Sequence, residues 1–177
     1  MCRLHQTFMA LSLWLIAQPV LALPTDKDQE IDIEMQGRMR IDTANEVATY
    51  SKNVVVTQGS LKIMSDELTA HGNINNPNKI IAIGEPATLQ QQPSSDQGVI
   101  TVKGNHIEYR VGSEQVLISG NAVFEQSGTT ITAAKLFYDV SSSLVEAEAG
   151  DDTIKLVSPP RNRGASDEQP PSNNKAE

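Results

Sequence analysis

From about residue 30 to residue 157, apolar and polar side chains alternate in short runs, and no stretch sustains the i, i+3, i+4, i+7 spacing of a helix beyond two turns. Val, Ile, Thr and Tyr dominate these runs, and Gly, Asn or Pro interrupts them every 8–12 residues or so, as in all-β sandwiches, barrels and rolls. The alternation predicts strands at 30–35, 39–42, 46–51, 53–58, 60–71, 79–84, 87–92 and 98–111. It predicts more at 115–120, 122–127, 129–140, 143–149 and 153–157. Gly59, Gly112, Gly120 and Gly128 stand between runs, where a tight reversal needs positive φ. The segments 73–79, "NINNPNK", and 93–98, "PSSDQG", read as longer exposed connections.

One pattern occurs twice. "NVVVTQGSLKIMSDEL" (53–68) aligns without gaps on "NAVFEQSGTTITAAKL" (121–136), matching Asn53 with Asn121, Val55 with Val123, Gln58 with Gln126, Ile63 with Ile131 and Leu68 with Leu136. Two explanations stay open on the sequence alone. Hairpins share a generic pattern, or successive hairpins stack in a repetitive roll, each unable to bury its apolar face by itself. Parity groups Ile31 with Ile33, Leu61 with Ile63, Ile81 with Ile83, and Ile107 with Tyr109 and Val111 on faces that can converge on one interior.

The ends read differently. Arg3, the apolar run 8–17 and a segment ending Val20-Leu21-Ala22 have the order of an export signal, with cleavage after Ala22. The run is too short for the roughly 20 apolar residues of a spanning helix, and Cys2 precedes it, so a lipidated cysteine at the mature terminus does not fit. Residues 158–177, rich in Pro and polar side chains, read as a solvated tail. The domain is thus expected at 23–157, without a cysteine and so without disulfide or thiol chemistry.

Composition narrows function mainly by exclusion. The net charge of −8, or −9 once Arg3 is lost, argues against nucleic acid and against docking on an anionic membrane. His71 and His106 lack metal-ligand spacing. There is no nucleophile elbow, phosphate loop or dinucleotide fingerprint, so catalysis, metal and cofactor are not expected. An enzyme acting on envelope carbohydrate would need paired acids, and no pair stands out. A structural or adhesive exported β-roll with a filled core is the main alternative to a binding module.

The segments "DKDQEIDIE" (26–34), 53–68, "GEPATLQQ" (84–91), "HIEYR" (106–110), "LISGNAVFEQ" (117–126) and "TAAKLFYDV" (132–140) occur in that order. Together they resemble the periplasmic lipopolysaccharide-transport family of LptA and OstA-like proteins, across the whole expected domain. The resemblance implies an open-ended antiparallel β-jellyroll: two sheets facing each other as a V, with lipopolysaccharide acyl chains between them. It implies head-to-tail self-association and bridging between an LptC-like partner at the inner membrane and an LptD-like partner at the outer membrane. By matching positions, Ile31, Ile33, Leu89, Tyr109 and Val111 would face the lipid; Leu89 stands where the family has an aromatic. The receiving edge would be Glu30, Ile31, Asp32, Ile33 and Glu34, and the donor edge Thr153, Ile154, Lys155, Leu156 and Val157. Two features depart from the family: the short loop at 73–79, and "AGDDT" (149–153) in place of a basic linker.

Overall fold

The computed structural model describes residues 26–160, apart from Asp96 and Asp152. The export signal and the tail from residue 161 onward lie outside the described residues. A short 3-10 turn, Asp26–Asp28, precedes ten strands: β1 (Ile31–Glu34), β2 (Met39–Asp42), β3 (Val47–Gln58), β4 (Leu61–Asn73), β5 (Asn76–Gln91), β6 (Ile100–Arg110), β7 (Gln115–Gln126), β8 (Thr129–Asp139), β9 (Leu144–Glu148) and β10 (Lys155–Val157). All neighbours are antiparallel, in one continuous sheet ordered β1-β3-β4-β5-β6-β7-β8-β10, with β2 also beside β3 and β9 beside β8.

Bulges convert this single sheet into two layers. The register breaks at Ser51/Val54, Met64/Glu67, Ile83/Ala87, Lys103/His106 and Ser119/Ala122, in line across the long strands. Bulges bend a strand and increase its local twist, so a row of them is a crease. On one side of the crease lies a front leaf, running from β1 through Val54–Gln58 of β3 to Thr129–Ala133 of β8 and β10. On the other lies a back leaf, running from β2 through Val47–Ser51 to Lys135–Asp139 and β9. The result is an unclosed β-jellyroll, as the resemblance implied.

The crease also explains where the sequence divided strands. The predicted pairs 46–51/53–58, 79–84/87–92 and 115–120/122–127 are single long strands, β3, β5 and β7. Lys52 and Asn53, and Gly120 and Asn121, take positive φ, bending these strands without reversing them. Gly120 is therefore a bend, whereas Gly59 and Gly128 do reverse the chain. Ser127 and Gly128 both have positive φ, the form of a two-residue hairpin turn that follows strand twist. Residues 73–79 are likewise no long loop: β4 and β5 are joined by Ile74 and Asn75 alone.

The core lies between the leaves. Val54, Val56, Leu61, Ile63, Leu89, Ile100, Val102 and Phe124 come from the front leaf, and Tyr50, Leu68, Ile80, Ile107, Tyr109, Val116, Ile118, Leu136 and Tyr138 from the back. Near the crease the side chains are small, among them Ala82, Ala87, Ala122 and Ala133. A Cβ on Gly104 would collide with the Ile118 Cγ2 atom, so only glycine allows the layers to close there. The expectation that Ile81 and Ile83 face inward is corrected. Ile80 and Ala82 are buried, and Ile83 is 47% exposed. Ile80, Ile81, Ala82 and Ile83 are all apolar, so alternation alone cannot choose a face. The register with Leu68 and Ile107 does.

Candidate functional site

Where β1 borders β3, the leaves part. A cavity of about 870 Å3 opens between them, its floor formed by Val56, Leu61, Leu68 and Ala70 and its walls by Ile31, Ile33, Ile80, Tyr109, Val111 and Val140. That volume falls in the usual range of lipid and small-molecule sites. A second cavity of about 130 Å3 shares Tyr50, Ala70 and Ile74 and runs toward Ile41 of β2.

Each wall residue follows from register. Ile31 lies opposite Gln58 and Ile33 opposite Val56, which turns both inward while Asp32 and Glu34 face water. Tyr109 lies opposite Ile80 and Val116 on the back leaf. Its hydroxyl is pushed up to about 12, first by burial and then by the Glu114 and Asp26 carboxylates. The upward shift is the effect of an apolar wall on a phenol that is neutral at physiological pH in any case. Four of the five lipid-facing candidates, Ile31, Ile33, Tyr109 and Val111, meet in this cavity. Leu89 does not line it: it is 2% exposed in the core, between Ile63 and Val102.

The mouth is bordered by a polar segment. Asp26 accepts hydrogen bonds from the Ser60 backbone N–H (2.6 Å), the Ser60 hydroxyl (2.7 Å) and the Gln91 amide (3.1 Å). Asp26 and Gln29 thus reach across the front-leaf margin. A Cβ on Gly59 would strike the Asp26 carboxylate, so the β3–β4 turn is shaped to accept this segment.

At the other end the layers are in contact. Phe124 of the front leaf and Tyr138 of the back leaf have ring centroids 5.3 Å apart at an interplanar angle of 56°, a favourable tilted arrangement. The Tyr138 hydroxyl is buried without a hydrogen-bond partner among the described residues. Elsewhere, Asp139 is held well below the usual carboxylate range by hydrogen bonds from the Ser141 side chain and then the Ser142 backbone, and Asp42 is lowered by Asn45. Both end a strand and accept hydrogen bonds from the turn that follows. His71 pairs with Lys79, and His106 with Ser119, on different strands. Among the described residues no group of three His, Cys, Asp or Glu is placed to hold a metal.

Among the described residues the sheet has four free margins. β1 and β10 end the front leaf, and β2 and β9 the back leaf. Sequence reasoning singled out the first pair as edges and did not name the second. The signal was present: Met39 and Ile41 on β2 and Leu144 on β9 are apolar yet 54%, 40% and 48% exposed. On the predicted donor edge, Ile154, Leu156 and Val157 are 42%, 64% and 49% exposed. These edge strands are short, yet each of β2, β9 and β10 leaves large apolar side chains uncovered.

Taken together, fold and site define an open-ended β-jellyroll with an apolar slot accessible from one end. Residues 37–143 match the family model described as "LptA/(LptD N-terminal domain) LPS transport protein", and the chain belongs to this family. It is 33% identical over 144 residues to the lipopolysaccharide export system protein LptH of Pseudomonas aeruginosa, covering 81% of each chain. Against the lipopolysaccharide export system protein LptA of Escherichia coli K12 the identity is 30% over 141 residues, covering 78% of this chain and 75% of that one. The crystal structure of Pseudomonas aeruginosa LptH, described as the LptA-homologous periplasmic component of the lipopolysaccharide transport device, superimposes with a TM-score of 0.71 at 29% identity. That match covers 77% of this chain and all of the other.

Proposed function

We propose that this protein carries lipopolysaccharide across the periplasm by sheltering its acyl chains between the two leaves, as a conduit without enzymatic chemistry. The observation that carries this reading is the apolar cavity of about 870 Å3 at an uncovered end of the roll. A filled core would have favoured a structural or adhesive module instead. Each methylene kept from water is worth about 0.8 kcal/mol, so a lipid with several acyl chains needs a continuous apolar path. Ile31, Ile33, Tyr109 and Val111 supply contacts of similar solvation along it, and Leu89 backs them from the core. In this reading the first 22 residues are an export signal removed on secretion, and residues from 158 onward a solvated tail.

Transfer proceeds through strand addition. The segment Thr153–Val157, which contains β10, of one molecule pairs with the segment Glu30–Glu34, which contains β1, of the next, and the exposed apolar residues of β9 and β2 meet in the back leaf. Because the joined margins differ, the contact is head-to-tail and propagates. The same geometry serves an LptC-like roll at the inner membrane and an LptD-like roll at the outer membrane.

A photoreactive amino acid at position 33 or 109 captures lipopolysaccharide in cells, whereas one at Lys62, on the outer face, does not. Equal capture at all three positions contradicts the reading. Deleting 153–177 abolishes concentration-dependent oligomers and leaves a folded monomer; oligomers that persist rule out this edge.

A further inference from the structure

The repeat noted in the sequence contains one match that burial does not explain. Gln58 and Gln126 occupy the same place in their hairpins, and both point to the inner side of the front leaf. Residues directly opposite in an antiparallel ladder project to the same face, and the registers join one row along the front-leaf margin. Gln58 lies opposite Leu61, Gln91 opposite Ile100, Ile100 opposite Gln126, and Gln126 opposite Thr129. The Lys62–Gln90 pairing places Leu61 beside Gln91. Across β3 to β8 the row therefore reads Gln58, Leu61, Gln91, Ile100, Gln126, Thr129. A carboxamide recurs on every second strand, roughly every 9–10 Å. The matching row of the back leaf, Ala70, Ile80, Tyr109, Val116 and Tyr138, has no amide, and its polar side-chain atoms are the hydroxyls of two buried tyrosines.

The two margins thus differ in kind, which suits an amphiphile lying with its head to one side. The row contains no charged residue, in a chain of net charge −8. Two of its amides already hold oxygens. The Gln58 Nε2 donates to the Gln29 carbonyl at 3.1 Å, and the Gln91 Nε2 donates to an Asp26 carboxylate oxygen at 3.1 Å. The segment leading into β1 therefore places its own acceptors on the first two rungs. The Gln126 side chain, beyond the cavity and level with the packed end, has no hydrogen bond to another described residue.

We propose that Gln58, Gln91 and Gln126 form a ladder of neutral hydrogen-bond donors that holds the oxygens of an acylated sugar head group at the front-leaf margin, while the acyl chains lie against the apolar back leaf. The proposal rests on the lipopolysaccharide reading above and adds which margin the head follows. Neutral amide hydrogen bonds are individually modest. A row of equal ones lets the head move from rung to rung without the trap that a fixed cation would set for its phosphates. The Asp26–Gln29 segment must leave the first two rungs when lipid enters.

The test compares two probes on the purified chain: lipid A, which carries the sugar head, and N-phenyl-1-naphthylamine, which is apolar and has none. Gln58→Leu, at a rung that lines the cavity, weakens lipid A binding about fivefold, the equivalent of one neutral hydrogen bond. The triple change Gln58→Leu, Gln91→Leu, Gln126→Leu weakens it further. Binding of the apolar probe is unchanged or tighter in both, and the unfolding midpoint of Gln58→Leu verifies its fold. Unaltered lipid A affinity in the variants overturns the ladder and leaves the transport reading standing. Equal loss of both probes also overturns it, because that is the mark of a damaged slot. A parent chain that binds the apolar probe but not lipid A overturns the transport reading, and the ladder with it.

Discussion

At the β1/β2 end of the roll the inner surface combines the large buried Tyr50, Leu61 and Leu68 with the small Ala48 and Ala70 and the half-buried Ile31 and Ile33. At the β7/β8 end it is built from Phe124, Ile118, Leu136 and Tyr138, none more than 3% exposed. Both ends share one backbone plan, a long strand creased by a bulge. The first end holds a cavity, and the second a tilted aromatic pair. The ends therefore differ in whether side chains of the two leaves meet across the gap. The end that admits a ligand is distinct from the end that keeps the fold together.

This division can be broken most severely at the packed end. Phe124→Ala removes the ring that bridges the leaves and should cost about 3–5 kcal/mol in urea unfolding. Ile33→Ala at the open end should cost roughly 1 kcal/mol, since its side chain is only partly buried. It should nevertheless reduce lipid capture more than any stability loss explains. Equal stability costs at the two ends would show that the open end is as integral to the core as the other. At the crease, Gly104→Ala forces a methyl against Ile118 and should destabilise by about 1–3 kcal/mol.

Much of the fold was legible in the alternation of the chain, for particular reasons. Strands with one polar face, such as Ile31–Glu34, announced their inward residues correctly, because Asp32 and Glu34 leave no choice. Residues 80–83 announced nothing, since both faces are apolar and only pairing with β4 and β6 decides. The bulges were read as strand ends because a left-handed Lys52-Asn53 or Gly120-Asn121 pair looks locally like a turn. It becomes a bend only when neighbouring strands are creased at the same level. The paired repeat marked two such bends, with Asn53 and Asn121 in the same conformation. The β2 and β9 margins were not legible, because exposure of Met39, Ile41 and Leu144 depends on which strands lack a neighbour.

A smaller effect sharpens the comparison through ionisation. Burial raises the hydroxyls of Tyr50, Tyr109 and Tyr138, that of Tyr109 to about 12. A group whose folded value lies above its unfolded value contributes stability that is complete below the unfolded value and is lost as pH rises through the folded one. For Tyr109 that window runs from about 10 to about 12. Ultraviolet titration of the native chain should show its tyrosines ionising late, and Tyr109→Phe should remove the component near 12. A Tyr109 that titrates at the ordinary value would mean that the cavity wall is hydrated. Tyr138→Phe, at the packed end, removes an unpartnered buried hydroxyl and should leave stability equal or higher by up to about 1 kcal/mol.

The most direct measurement is a methyl-resolved NMR titration of the chain with lipid A. The account predicts that the first and largest shifts occur at Ile31, Ile33, Ile80 and Val111 around the open cavity, while Val116, Ile118 and Leu136 at the packed end move little. Shifts spread evenly over both ends, or confined to outward methyls such as Val55 and Val123, would contradict it.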